Sequence, residues 1–235
     1  MRIGIIQSNY IPWRGYFDLI SDVDLFVLYD DVQFSRGNWR NRNLIKTPTK
    51  PIWLTVPVKF SSKDKRKNIE DITIDFTQKW RQRHIKSIIQ NYSKSPFFKK
   101  YSDGFFDLYY SDYSTISELN RILITWIMKQ LKIATPVRLS AELNLTGRNT
   151  DRLICLLKEV GATTYLSGPT GKNYIDISEF KKAGIGLEFK TYNYEEYPQN
   201  FGDYLPNVSI IDLLFNCGED SCSYIKSTTP NEVVL

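Results

Sequence analysis

Apolar and polar positions alternate along the chain in two patterns that predict strands and helices in turn. Residues 2–7 (RIGIIQ) and 24–30 (DLFVLYD) are short, nearly continuous apolar runs, as buried parallel strands are. Between them, Phe17 and Ile20 recur at helical spacing behind Pro12, which predicts a helix over Trp13–Ser21. This order predicts the opening βαβ unit of a Rossmann-like fold.

The second half of the chain returns to the same alternation. Strands are predicted over 136–140, 163–168 and 186–192, and helices over Thr150–Val160, Ile175–Ala183 and 211–218. The first of these helices has a candidate N-cap within 149–151, and Gly161 and Gly184 stand where C-cap glycines belong. The last eight or so residues are expected to be frayed.

The middle of the chain predicts two additions to this sheet. Residues 52–58 and 69–75 alternate apolar and polar positions, which predicts an antiparallel hairpin over 52–75 with the charged run 63–67 (KDKRK) at its solvated tip. Helical patterns over Lys79–Asn91, Phe97–Tyr110 and Ser117–Leu131 predict a helical insertion at 77–132 on one side of the sheet. We expect one α/β domain over 1–235, with a Rossmann-like, mostly parallel sheet.

Composition narrows the class of protein. The 235 residues suffice for a buried core, and 15 Tyr, 13 Phe and 5 Trp are a high aromatic share. No run approaches the length of a membrane span and no signal peptide is evident, so we expect a cytoplasmic protein. The three cysteines lack paired zinc spacing, and we expect them reduced with no metal site. The net charge of +5 suits an anionic small molecule.

Polar loops that follow the predicted strands are the expected ligand site, because ligands bind beyond the carboxyl ends of parallel strands. Five loops are expected to contribute: QSNYIPW, DDVQFSRGNWRNRN, SAELNLTGRNTD, SGPTGKNY and YNYEEYPQNFGDY. The first such loop, QSNYIPW, offers Gln7 and Asn9 as hydrogen-bonding groups, with Tyr10 and Trp13 as a stacking wall. The loop after the second strand is dense in guanidinium and amide groups, which bind phosphates and sugar hydroxyls. From it we predict substrate contacts by Asp30, Gln33, Trp39, Arg40, Asn41, Arg42 and Asn43; a surface loop that pairs its own charges is the alternative.

The loop SGPTGKN is glycine-rich but does not match a Walker motif. It predicts an anion site made by Ser167, Gly168 and Lys172, against the alternative of a plain tight turn. His84 is the single histidine and the one side chain whose unperturbed pKa suits a general base near neutral pH. It follows Trp80 by four residues on one helix face, so a packed structural role is the alternative. Asp31 is the other candidate for the catalytic base.

Several stretches together resemble the WbqC-like protein family. They are QSNYIPWRGYFDLI, DLFVLYDDVQFSRGNWRNRNLI, WLTVPV, YLSG with YID, and SIIDLLFNCG, spread over residues 3 to 218. The resemblance implies a role in bacterial polysaccharide (O-antigen) biosynthesis. It implies an enzyme that transfers or ligates an aminoacyl group, such as glycine, to the amine of a nucleotide-linked amino sugar. This chain has Ile6-Gln7-Ser8 where the family pattern has His-Gln-Pro.

A weaker likeness is to the nucleotidylyltransferase superfamily, in which a His-x-Gly-His element at a helix start binds triphosphate. Here Trp13-Arg14-Gly15-Tyr16 keeps the glycine and lacks both histidines. The likeness makes ATP a candidate cofactor, with Arg14 and Lys172 as substitutes for charge neutralisation. The acyl donor, whether free amino acid with ATP, aminoacyl-tRNA or acyl-CoA, stays open.

Two other classes of function stay open beside the enzyme. One is a non-catalytic module that binds nucleotide sugars or scaffolds assembly enzymes. The other is a nucleic-acid binder, suggested by the basic helix at 79–100, although the aromatic residues are not interleaved with the charge run at 63–67. Nucleic acid is therefore the less expected partner, aminoacyl-tRNA excepted.

Overall fold

The main sheet of the protein has six strands, five of them parallel. A computed structural model describes residues 1–61, 64 and 66–235. The strands in chain order are β1 (Arg2–Ile6), β2 (Leu25–Leu28), β3 (Arg42–Ile45), β4 (Ile52–Thr55), β5 (Val137–Leu139), β6 (Thr164–Ser167), β7 (Gly186–Phe189) and β8 (Glu232–Val233). The main sheet has the order β5-β2-β1-β6-β7-β8, with β8 antiparallel to β7, and β3 and β4 form a separate antiparallel pair. The predicted mixed α/β fold with a mostly parallel sheet is confirmed.

Helices cover both faces of the main sheet. They are α1 (Arg14–Ser21), α2 (Trp80–Tyr92), α3 (Phe98–Leu108), α4 (Ile116–Gln130), α5 (Asn149–Glu159), α6 (Ile177–Ala183), α7 (Ile210–Cys217) and α8 (Ser221–Tyr224). One core cluster contains residues of the helices α1, α2, α3, α4 and α7 together with residues of β2 such as Phe26. Another contains residues of α5 and α6 together with Ile3 and Ile5 of β1. The sequence therefore builds three layers, because β1 presents alternate residues to the two faces.

Gly4 lets α1 pack closely against the centre of the sheet. A Cβ atom at this position would lie 2.7 Å from Leu19 Cδ2 and 3.2 Å from Phe26 Cδ2. Because no side chain stands there, α1 approaches β1 and fixes the position of the loop between them. That loop, residues 7–13, leads directly from the carboxyl end of β1.

The predicted hairpin over 52–75 is wrong about which segments pair. Its first strand exists as β4, but the ladder partner of β4 is β3, at 42–45. Residues 69–71 form a 3-10 turn, and the two predicted strands meet only near one isolated antiparallel bridge, Val58↔Ile74. Arg42 and Asn43, predicted as part of a ligand loop, belong to β3. The tip prediction over 63–67 includes Lys63 and Lys65, which lie outside the described residues.

Two predictions about chain ends and caps are also wrong. The last residues are not frayed, since β8 pairs with β7 and Val234 N–H donates to Leu187 O at 2.9 Å. The helix α5 begins at Asn149, so its N-cap position is Arg148, which makes no side-chain cap. The hydroxyl of Thr150 accepts from Asp176 N–H at 3.2 Å. The predicted glycine ends are confirmed, as Gly161 and Gly184 have φ values of 70° and 68°.

Among the residues that the structure describes, no helix combines the length and the apolar character that crossing a bilayer requires.

Candidate functional site

A cavity of about 1070 Å³ opens at the carboxyl ends of β1, β2 and β6. The chain moves outward from β1 through β2 to β5, then returns through α5 to β6 on the other side of β1. The loops after β1 and β6 therefore diverge, which leaves a crevice at the point where the strand order reverses. Its walls are Ile5, Ile6, Gln7, Tyr29, Asp31, Val32, Gln33, Arg40, Asn68, Gly147, Arg148, Asn149, Arg152, Leu153, Tyr165, Ser167, Gly168, Thr170 and Tyr174.

Positive charge dominates the walls of this cavity. The charged residues that line it are Arg40, Arg148 and Arg152 against the single carboxylate of Asp31, a formal charge of +2. Asp31 accepts hydrogen bonds from Ser140 Oγ and the Arg152 guanidinium, with which it forms a partly buried ion pair. The exposed Arg148 side chain forms no ion pair with the residues described. This leaves positive charge for an anionic ligand.

Buried polar groups hold Arg40 at the cavity wall. Asn120 on α4 donates to Arg40 O at 2.9 Å and to Ser8 Oγ at 3.0 Å. The Arg40 guanidinium itself donates to Asn9 Oδ1 at a long 3.4 Å. Burial lowers the pKa of Arg40, and the nearby charge of Asp30 opposes that change. An anion bound in the cavity would further favour the charged guanidinium.

Asp30 shapes the wall from behind the cavity. It is 5% exposed, and its carboxylate accepts from Ser8 N–H at 2.8 Å and from Ser117 Oγ at 2.5 Å. These bonds join the loop after β1 to the start of α4. Asp30 therefore holds these two segments together behind the wall, whereas its neighbour Asp31 lines the cavity itself.

The N-terminus of α5 forms another part of the wall. Gly147 and Asn149 both have positive φ, at 82° and 49°, and these turns set the chain direction on either side of Arg148. A Cβ on Gly147 would lie 3.1 Å from Asp151 Cβ, so glycine suits this turn. The positive end of an 11-residue helix thus adjoins the cavity, where it favours a negatively charged ligand.

The cavity brings together only part of the predicted site, catalytic candidates included. Six of the predicted residues line it: Gln7, Asp31, Gln33, Arg40, Ser167 and Gly168. Asn9 and Asp30 support it from behind through the bonds given above. The remaining predicted residues lie elsewhere: Tyr10, Trp13, Trp39, Asn41, Arg42, Asn43, Lys172 and His84.

His84, on α2, lies in the core beside the β3–β4 hairpin and the loop after β1. It is 5% exposed; Nε2 lies 3.1 Å from Thr55 O, and Nδ1 lies 2.8 Å from the Tyr10 hydroxyl. Because a carbonyl only accepts, Nε2 carries the proton and Nδ1 accepts from Tyr10. Burial lowers the pKa of His84 to about 4. Both ring nitrogens are therefore engaged in hydrogen bonds that hold α2 against the rest of the core.

The aromatic residues of the first loop do not face the cavity. Tyr10 is fully buried beside His84 and Tyr109. Trp13 packs edge-on against Tyr192, with ring centroids 4.9 Å apart, in a separate pocket. Arg14, the proposed substitute for a triphosphate-binding histidine, is 3% exposed and donates to Glu195 O and Tyr224 O.

The other predicted binding residues have partners of their own. Asn41 donates to Val56 O at 2.9 Å across the open end of the β3–β4 hairpin, and Asn43 donates to Ile11 O at 2.8 Å, which ties the hairpin to the loop after β1. Lys172 forms an ion pair with Glu232 at the surface. Trp39 is 42% exposed on the outside of the protein.

The most informative cavity residues absent from the predicted set are Arg148, Arg152 and Thr170. Arg148 lies in the loop SAELNLTGRNTD, which is predicted to contribute to the site as a loop after a parallel strand, and Arg152 follows directly after that loop. Identifying them also requires knowing that β5 and β6 lie on opposite sides of β1. Strand order depends on long-range packing, which a local pattern does not contain.

One further carboxyl group lies near this site. Burial raises the pKa of Glu70, and the nearby charges of Asp31, Asp71 and Asp30 add to that rise. Its backbone N–H donates to Asp30 O at 3.2 Å. Among the described residues, no group of three or more His, Cys, Asp and Glu side chains could hold a metal ion.

Comparisons with known proteins agree with the resemblance noted in the sequence. The sequence model of the WbqC-like protein family matches residues 7–224. The chain is 40% identical over 227 residues to a protein of Mycobacterium tuberculosis named "Uncharacterized protein Rv1507c", an alignment that covers 96% of this chain and 97% of that protein. No solved structure matches the chain.

Proposed function

The chain belongs to the WbqC-like protein family, and on that premise we propose that it acts in bacterial polysaccharide (O-antigen) biosynthesis. Its proposed reaction is transfer or ligation of an aminoacyl group, such as glycine, to the amine of a nucleotide-linked amino sugar. The cavity at the ends of β1, β2 and β6 is the proposed site for the nucleotide sugar.

The observation that carries this proposal is the positive charge of the cavity. Arg40, Arg148 and Arg152 outnumber Asp31, and the N-terminus of α5 adds the positive end of a helix. A diphosphate linker carries the complementary charge and accepts hydrogen bonds from arginine forks. The cavity volume of about 1070 Å³ is large enough for a nucleotide with an attached sugar.

The proposed chemistry forms one C–N bond. The sugar amine attacks the carbonyl carbon of the acyl donor, the bond from that carbon to its leaving group breaks, and the amine loses a proton. Asp31 is the proposed acceptor of that proton, because it is the carboxylate that lines the cavity. If free amino acid is the donor, ATP must first activate its carboxylate, and phosphate or AMP is the leaving group.

Arg148→Ala tests the proposed binding site. A charge-assisted hydrogen bond to a diphosphate is lost, so we expect nucleotide-sugar binding to weaken by about 1.5 to 3 kcal/mol. The measurement is isothermal titration calorimetry with a panel of UDP-, GDP- and dTDP-linked amino sugars. Lys158→Ala is the matched control, since Lys158 is an exposed cation on α5, the helix that Arg148 precedes, and does not line the cavity. Equal affinities for wild type and Arg148→Ala would remove the cavity from the proposal.

A non-catalytic nucleotide-sugar-binding or scaffold protein is the second candidate. It is favoured because neither proposed base is free to accept a proton from a substrate. Asp31 is paired with Arg152, and both ring nitrogens of His84 are hydrogen-bonded in the core. Asp31→Asn separates the two candidates, with sugar binding measured by calorimetry and amide formation by mass spectrometry of the product. An enzyme loses turnover and keeps its fold, whereas for a scaffold the wild-type protein forms no product.

A further inference from the structure

One continuous stretch of the chain carries positive charge without any negative charge. From Phe76 to Ser102 the sequence has seven Lys and Arg residues and no Asp or Glu: Lys79, Arg81, Arg83, Lys86, Lys94, Lys99 and Lys100. This stretch contains α2 and the first turns of α3. It holds more positive charge than the net +5 of the whole protein.

Most of these cations face solvent without a counter-ion. Lys79, Arg83, Lys86, Lys94 and Lys99 are all exposed. Of the seven, only Lys100 forms an ion pair within the part of the chain that the structure describes, with Glu219. Lys79, Arg83 and Lys86 succeed one another at spacings of four and three residues, so they lie on one outward stripe of α2. The opposite face, with Trp80, His84 and Ile88, is buried.

This arrangement opposes the stability of the helices that carry it. Like charges three or four residues apart repel each other on a helix. Cations near a helix N-terminus also oppose its dipole, yet α2 has Arg81 and Arg83, and α3 has Lys99 and Lys100, near their starts. No acidic residue stands in the first turn of either helix. An anionic partner would relieve all of these repulsions.

An exposed aromatic pair lies at the β3–β4 hairpin, with Trp53 in β4 and Trp39 in the chain just before β3. The rings of Trp39 and Trp53 have centroids 5.3 Å apart, and the two residues are 42% and 43% exposed. The Arg42 guanidinium lies 4.2 Å from the centroid of the Trp53 ring. Such an exposed pair of large aromatic rings with a neighbouring cation is the arrangement on which unpaired nucleic-acid bases stack.

The β3–β4 hairpin and α2 are joined by hydrogen bonds and form one unit. His84 Nε2 donates to Thr55 O at one end, and Lys46 N–H donates to the Tyr92 hydroxyl at 3.0 Å at the other. The helix therefore lies along the hairpin for about two turns. Trp53 of β4 and the basic stripe of α2 are thus held on adjoining elements.

We propose that this unit binds the single-stranded part of an RNA, with phosphates on the stripe of α2 and unpaired bases on Trp39 and Trp53. The proposal rests on the proposed function in one respect, since aminoacyl transfer would make that RNA the carrier of the acyl group. An anionic membrane is the less suitable partner, because the apolar face of α2 is buried in the protein and cannot enter a bilayer.

Salt-dependent RNA binding tests the basic stripe. The probe is a fluorescein-labelled 12-nucleotide single-stranded RNA, titrated by anisotropy at several salt concentrations. The variant Lys79→Glu/Arg83→Glu/Lys86→Glu is expected to bind at least tenfold more weakly at low salt. The slope of log affinity against log salt should fall in magnitude by about 2, which is the loss of three phosphate contacts on a single strand.

A matched control has the same change in net charge elsewhere. Lys129→Glu/Lys158→Glu/Lys181→Glu places three reversals on exposed sites of α4, α5 and α6. It should retain most of the wild-type affinity and salt slope. Equal losses in the two triple variants would overturn the proposal, because they would show an effect of net charge alone.

Base stacking is tested on the aromatic pair. Trp39→Ala/Trp53→Thr keeps a strand-forming residue in β4, and circular dichroism checks its fold. We expect about a fivefold loss of affinity with an unchanged salt slope, and loss of the tryptophan fluorescence quenching that RNA causes in the wild type. A blunt RNA duplex should bind the wild type more weakly than the single strand. Equal binding of duplex and single strand would contradict the stacking part of the proposal.

The outcomes separate this proposal from the proposed function. If the wild-type protein does not bind RNA but binds vesicles containing phosphatidylserine, the RNA proposal is overturned in favour of a membrane surface. RNA binding that persists in Arg148→Ala, together with lost nucleotide-sugar binding, supports two independent sites. RNA binding without any nucleotide-sugar binding by the wild type keeps this inference and contradicts the proposed function.

Discussion

At the scale of single residues, His84 shows how burial changes the role that a residue type suggests. As the single histidine it is the natural candidate for a general base, since its ordinary pKa lies near neutral pH. The same sequence also places it four residues after Trp80, on a face that turns out to be buried. Burial lowers its pKa to about 4, so it stays neutral in the folded protein at physiological pH.

This lowered pKa predicts that the folded protein becomes less stable as the pH is lowered from 7 to 5. In the unfolded chain a histidine takes up a proton near pH 6.5, whereas folded His84 does so only near pH 4. The unfolded state therefore binds more protons between these values, and lowering the pH from 7 to 5 should cost about 2 kcal/mol through this residue. His84→Gln lacks this contribution. Urea unfolding of both proteins at pH 7 and pH 5 measures the difference, and parallel pH profiles would contradict it.

The cavity residues show which part of the site the sequence predicts. Asp31 and Arg40 follow a recognisable strand, and that position alone indicates the ligand edge of a parallel sheet. Arg148 follows a strand in the same way, but its loop also has a sequence compatible with a plain turn into a helix. Asn41 and Asn43 resemble ligand-binding amides, yet they hydrogen-bond backbone carbonyls. Amide groups that bind backbone and those that bind a ligand have the same sequence signal.

At the scale of elements, helices and parallel strands are predicted well because each depends on a local pattern. The bounds of α2, α3 and α4 agree with the helical patterns to within one or two residues. The hairpin is wrong because pairing is not local: β4 alternates as expected, but β3 has the sequence RNLI, in which buried Asn43 interrupts the apolar face. A polar residue at a core position conceals a strand from any method based on periodicity.

The start of α4 offers a prediction at this scale. Thr115 Oγ1 accepts from Glu118 N–H, and the Glu118 carboxylate accepts from Thr115 N–H at 3.0 Å, which completes a capping box. Thr115→Ala removes one of these bonds, so we expect the free energy of unfolding to fall by about 1 kcal/mol. Thermal denaturation should show this as a decrease of about 2 to 4 °C in Tm. Thr115→Ser keeps the hydroxyl and is expected to stay near wild type.

The capped start of α4 also supports the wall of the cavity. Ser117 and Asn120, in the first turns of α4, hold Asp30 and the backbone of Arg40. If fraying of α4 loosens these bonds, nucleotide-sugar binding weakens along with stability in Thr115→Ala. Unchanged sugar affinity in a protein with lowered Tm would show that the cavity wall does not depend on the helix start.

At the scale of the whole molecule, the helical insertion and the sheet share one core. Residues of α2, α3 and α4 pack in the same apolar cluster as Phe26 and Leu28 of β2 and Leu166 of β6. We therefore predict a single cooperative unfolding transition for the one domain expected over 1–235. Differential scanning calorimetry should give equal calorimetric and van't Hoff enthalpies, of about 160 kcal/mol for a chain of this length near 60 °C. Two separate transitions would mean that the insertion is a domain of its own.

Ligand binding extends this prediction from folding to function. The cavity takes its walls from loops after β1, β2 and β6 and from the start of α5, so no single segment contains the site. A nucleotide sugar at one hundred times its Kd should add about 2.7 kcal/mol to the free energy of unfolding. Because the walls come from both halves of the chain, the whole transition should move to higher temperature without splitting. A ligand that shifts only part of the heat absorption would bind outside this cavity, on a region that unfolds by itself.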